Sequence, residues 1–81
     1  MSQYTPLAQL SVEERGTVAE LHGGRHFVSR LATLGFTPGA ELVVVQNFGR
    51  GPLIVRVRDT RIALGRGEAE RIYVRRHTHH A

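Results

Sequence analysis

His22 and His26 flank Gly23-Gly24, and a second group, His77, His79 and His80, stands near the C-terminus. Neutral imidazoles suit divalent Fe(II), Zn(II), Ni(II) or Cu(II). Glu20 shares a strand face with His22 and could add a carboxylate. The five histidines form a candidate metal set, His22, His26, His77, His79 and His80, against the plainer reading of surface imidazoles in a turn and a tail. No resident cofactor is required by this pattern; a divalent metal, Fe(II) or Zn(II), is the one candidate. The other chemical resource is arginine, since all 11 basic side chains are arginine and none is lysine. Arg25 and Arg30 sit near a glycine turn and a helix start, where an anion could be held. Arg56 and Arg58 share one strand face with Ile54, opposite the apolar set Leu53, Val55 and Val57. With Phe36, these residues (Arg25, Arg30, Phe36, Ile54, Arg56 and Arg58) are the candidate partner-binding set. Phe36 serves as an anchor if it is exposed and as core if it is not.

Catalytic constellations are missing. Ser11 and Ser29 have no His/Asp arrangement around them, the carboxylates do not pair, and no phosphate loop of the GxxxxGK type occurs. With no cysteine, disulfides, thiolate metal sites and a cysteine nucleophile are excluded. An enzyme is not expected.

The elements that must position these residues are legible. Arg25 to Leu34 reads as a helix with Phe27, Leu31 and Leu34 on one stripe. Gly35 stops it, and Thr37-Pro38-Gly39-Ala40 has the chemistry of a type II turn. Around the helix stand strands at Gly16–His22, Glu41–Phe48, Leu53–Arg58, Arg61–Leu64 and Ile72–Arg75, with Leu7 and Leu10 anchoring an N-terminal arm. Asp59-Thr60 is a tight turn, and one helical turn carries Ala69. The 81 residues suit one domain. We expect a mainly β chain, a small, partly open barrel of about five antiparallel strands with one short α-helix inserted after the first strand. The barrel should occupy residues 1–75, followed by a polar, histidine-rich tail over 76–81. No apolar run approaches the ~20 residues of a membrane span, and the N-terminus does not read as a signal peptide, so an intracellular, cytoplasmic protein is expected.

The formal charge of +4 and a pI of about 11.1 leave three classes of partner. The arginines could meet an acidic protein, a nucleic acid, or solvent alone. Of the aromatics Tyr4, Phe27, Phe36, Phe48 and Tyr73, most read as buried, which leaves no base-stacking platform, so nucleic acid is not the expected partner. A histidine-bridged oligomer is a further possibility.

The order of these pieces resembles the FeoA family. Leu7 and Leu10 precede Gly16, then come Val18, Gly23-Gly24, Arg30-Leu31, Leu34-Gly35-Phe36, Pro38-Gly39 and the Leu42–Val45 strand. Ile62-Ala63-Leu64, Ala69, Ile72 and Val74 complete the pattern, which covers about Pro6 to Val74. The resemblance implies an SH3-like barrel. It also implies a non-enzymatic cytoplasmic accessory of bacterial ferrous-iron uptake, a partner or modulator of FeoB, the membrane transporter with a cytoplasmic GTP-binding domain. Related domains are appended to DNA-binding domains in metal-dependent repressors; this chain is too short for such an arrangement, so an autonomous repressor is not expected. The Asp59-Thr60 turn and the His77-Thr78-His79-His80 segment depart from the family pattern.

Overall fold

Alternation of apolar and polar side chains builds the sheet. In β3 (Glu41–Gln46) Leu42 and Val44 are buried, and in β4 (Leu53–Val57) so are Leu53, Val55 and Val57, while Glu41 and Arg56 face water. A period of two places one such set inward and the other outward. In a computed structural model, which describes residues 3–77, these strands join β1 (Thr5–Pro6), β2 (Arg15–Leu21), β5 (Thr60–Leu64) and β6 (Ile72–Arg76). The order is β1-β6-β2-β3-β4-β5, with every pairing antiparallel. Register shifts between Val18 and Glu20 and between Val44 and Gln46 mark bulges. Bulges bend strands, and here they help the sheet curl around one core of Leu7, Leu31, Phe36, Ile72 and their neighbours.

The strand count is therefore six. The added strand is the two-residue β1, so the helix follows the second strand instead of the first. Two residues are too few for a periodic signal, and Pro6 argues against a central strand; it is accommodated because β1 lies at the sheet edge. A 3-10 turn, Leu7–Gln9, follows and buries Leu7.

Helix α1 (Arg25–Leu34) has the expected bounds. Gly35 ends it at φ 109°, with Phe36 N–H donating to Leu31 O (2.9 Å) and Gly35 N–H to Ala32 O (3.0 Å). This is the paired 6→1 and 5→2 bonding of a Schellman stop, which turns Phe36 back under the helix and buries it completely. Leu34 does not close the core as its spacing suggests; it is 36% exposed at the last helical position before the stop. The Thr37–Ala40 turn then forms as expected, with Gly39 at φ 94° and Ala40 N–H donating to Thr37 O (2.9 Å). Helix α2 (Arg66–Ala69) is the single turn that buries Ala69.

The sheet order leaves β1 and β5 as free edges. Side chains bridge the segments that follow them. Asn47, just after β3, donates through Nδ2 to Ala8 O (3.0 Å) and Leu10 O (2.8 Å). Its Oδ1 accepts from Gly49 N–H (2.9 Å) and from Arg66 Nη2 (2.7 Å), while Arg66 Nε donates to Gly51 O (3.1 Å). One amide thus ties the N-terminal arm, the β3–β4 loop and the start of α2.

Replacing Gly35 by alanine should destabilise the protein by about 1–2 kcal/mol, the cost of a Cβ at a left-handed residue, read from urea unfolding. Asn47→Ala should cost about 2–3 kcal/mol, because it removes two donors from backbone carbonyls and one acceptor from Arg66.

Candidate partner-binding face

Strand register assembles the candidate site. Arg15 of β2 pairs with Val43 of β3, Val43 with Arg56 of β4, and Arg56 with Arg61 of β5. The four side chains share the outer face, since their neighbours Gly16, Leu42, Val44, Val55 and Val57 are buried and Ile62, next to Arg61, packs against the core. Arg15, Arg56 and Arg61 are exposed, and among the described residues their side chains make no ion pair or hydrogen bond. Around this row lie two shallow concavities. One is lined by Arg15, Val43, Arg56 and Arg58 with Glu41 and Asp59. The other is lined by Arg15, Arg56 and Arg61 with Val12, Val43 and Val45.

The hairpin sharpens the electrostatics. Arg58 (φ 53°) and Asp59 (φ 63°) both adopt positive φ, which makes a two-residue type I′ turn. Such a turn closes on a hydrogen-bonded pair, Val57 and Thr60, so the next pair, Arg56 and Arg61, is of the non-hydrogen-bonded kind whose side chains approach more closely. Like charges directly opposed across strands destabilise a sheet.

The expected partner-binding residues separate into groups. Arg56 lies in the row, and Ile54, half-buried between Gln46 and Ala63, stands next to it on the same face. Arg58 is not on the strand face as alternation suggests; it is a turn residue, because strand pairing ends at Val57. It still reaches the concavity of Arg15 and Arg56, and its Cδ would lie 3.2 Å from a Cβ at Gly35, beside the negative end of α1. Arg30 is not at an anion-holding helix start; it is ion-paired with Glu68, joining α1 to α2. Arg25 stands exposed in the first turn of α1, which has no side-chain cap and no acidic residue. Neither Arg25 nor Arg30 lines the two concavities. Phe36 is no anchor: it is fully buried by the helix stop. The aromatic that does stand in solvent is Phe48, 77% exposed on the β3–β4 loop.

The histidines do not converge. His22 Nε2 lies 2.7 Å from Glu20 Oε1, and the ring leans on Tyr73 with centroids 4.3 Å apart. His26 is exposed on α1, and among the described residues no three His, Cys, Asp or Glu side chains gather as a metal-holding group. His77 Nε2 lies 2.7 Å from Thr17 Oγ1. Its backbone N–H donates to Arg15 O, so the chain continues the β2 edge one residue beyond β6. Thr17 and His22 are five residues apart along β2, roughly 17 Å, too far for His22 and His77 to share an ion. His79 and His80 lie outside the described residues.

Sequence reasoning missed Arg15, Arg61 and Val43 as members of the face. The two-residue turn alone would have paired Arg61 with Arg56. Arg15 needs the β2–β3 pairing, which spans the whole helix and which no local signal announces.

Arg61→Glu should raise stability by about 0.2–1 kcal/mol, since it converts a like-charge pair into an attractive one. Urea unfolding of the variant reads this directly.

Comparison with known proteins gives a consistent picture. A family model described as the FeoA domain matches residues 5–76. The Fe(2+) transport protein A of Methanocaldococcus jannaschii is 35% identical over 69 residues, which are 85% of this chain and 83% of that protein. The crystal structure of an iron uptake regulatory protein, FeoA, superposes with a TM-score of 0.85 at 34% identity, covering 90% of this chain and 97% of that one. A zinc complex of FeoA from Stenotrophomonas maltophilia, described as a procaryotic SH3 domain protein, has a TM-score of 0.71 at 36% identity and covers 84% and 86%.

Proposed function

The chain belongs to the FeoA family and has its SH3-like barrel, and from this we propose that it is a non-enzymatic accessory of ferrous-iron uptake that docks on the cytoplasmic region of a FeoB transporter. The observation that carries the reading is the family match over residues 5–76, nearly the whole of the described chain. The similar proteins are a Fe(2+) transport protein and a candidate activating factor of bacterial ferrous iron transport. The surface supports the same reading: among the described residues no polar or charged side chain is buried, and Arg15, Arg56 and Arg61 stand exposed without an ion pair, open to a second molecule. No helix among the described residues is long and apolar enough to cross a membrane, and in this reading the protein works in the cytoplasm and meets the membrane through its partner. Ferrous iron is the cargo of the system, and the protein acts on the transporter rather than on the ion. The Stenotrophomonas protein is a zinc complex; here His22 and Glu20 bring two donors together, and no third His, Asp or Glu joins them among the described residues.

The purified protein should bind the isolated cytoplasmic domain of FeoB from the same organism, and a deletion strain should take up ferrous iron more slowly than its parent. Absence of detectable binding overturns the docking reading, and normal uptake in the deletion strain overturns the accessory role.

A further inference from the structure

We propose that the outer-face row Arg15–Val43–Arg56–Arg61 is the docking surface, and that its occupant is an extended acidic segment of the transporter's cytoplasmic region. This rests on the docking reading above and adds to it a place and a partner chemistry. The first argument is charge. Three guanidiniums stand together without counter-ions among the described residues, and two of them are directly opposed across β4 and β5. Elsewhere Arg30 pairs with Glu68, Arg76 with Glu14, Arg66 with Asn47, and Arg71 lies over the Phe27 ring, while Arg25 and Arg50 are exposed but oppose no second arginine across strands. A carboxylate-bearing ligand relieves the opposition in the row, and guanidinium–carboxylate pairing is bidentate and directional.

Spacing selects the ligand's conformation. The row crosses four adjacent strands, β2 to β5. At about 4.8 Å per strand, Arg15 and Arg61 are roughly 14 Å apart. An extended peptide places residues i, i+2 and i+4 on one side, with i and i+4 about 13–14 Å apart. A helix brings i and i+4 within about 6 Å along its axis and would need residues two to three turns apart to reach both ends of the row, whereas an extended chain meets it with one alternating set. The segment therefore carries Asp or Glu at i and i+4, over Arg15 and Arg61, with residue i+2 over Val43 and Arg56. Val12, 47% exposed, and Val45 line the same concavity and offer apolar contact to the intervening side chains.

The rim argues for a peptide over a nucleic acid. Glu13, Glu41 and Asp59 border the concavities, so the positive charge is confined to the row itself and matches a few spaced carboxylates better than a continuous polyphosphate. No aromatic side chain lines them, so bases find nothing to stack on.

The test titrates the full chain and its variants with the FeoB cytoplasmic domain and with a synthetic peptide bearing Glu at i and i+4. Arg15→Gln, Arg56→Gln and Arg61→Gln should each weaken binding of both about fivefold or more, and the triple variant should abolish it. Arg25→Gln and Arg50→Gln remove the same charge elsewhere and should change binding less than twofold. The triple variant should show the circular dichroism of the parent, since none of the three side chains is in the core. If the domain binds the parent and the triple variant equally, the row is not the docking surface, although docking itself stands. If the domain does not bind the parent at all, both readings fall. If single-stranded RNA competes at the row with equal affinity and the same arginine dependence, the face is a nucleic-acid site and the peptide assignment is wrong.

Discussion

A curled sheet with two free edges has to be closed by something, and in this protein a side-chain amide does it. The backbone ladder stops at β1 on one side and β5 on the other. Asn47 spans the opening with four hydrogen bonds, and Arg66 lies over it, so the arm after β1 and the turn after β5 are held to the same group. Backbone carbonyls that lose water need partners, and an asparagine amide with two donors and one acceptor group can serve several at once. The consequence is apolar. With Ala8 and Leu10 carbonyls fixed, Leu7 and Leu10 stay fully buried over the open end of the barrel. In a domain this small, two leucines are a large share of the core, so the polar clasp and the hydrophobic closure act as one unit.

The same closure makes the opposite surface a rigid platform. Four strands in fixed register hold arginines from distant parts of the chain in a single row, where like charges are kept close by backbone pairing instead of by their own preference. The helical side of the molecule is arranged differently. There Arg30 meets Glu68, and Arg71 lies over Phe27, so these two cations help hold α1 against its neighbours. Gly23 belongs to this side as well: a Cβ there would clash with the Phe27 ring, so the first glycine of the pair is a packing requirement.

Local chemistry determined most of the architecture by itself. The helix from Arg25 to Leu34, its stop at Gly35, the Pro38-Gly39 turn and the inward set of β3 and β4 follow from periodicity and backbone sterics between residues only a few positions apart. The same reasoning found Arg56 and Ile54. What tertiary structure alone decided is which distant residues become neighbours. Whether Phe36 or Phe48 faces water depends on what lies across the core, and hydrophobicity is identical for both. Whether Arg30 is free or paired depends on Glu68, 38 residues away in the chain. Arg15 joins Arg56 and Arg61 only because β2 pairs with β3 across the inserted helix, a non-local contact set by the fit of the whole core and carried by no pattern in the letters around it.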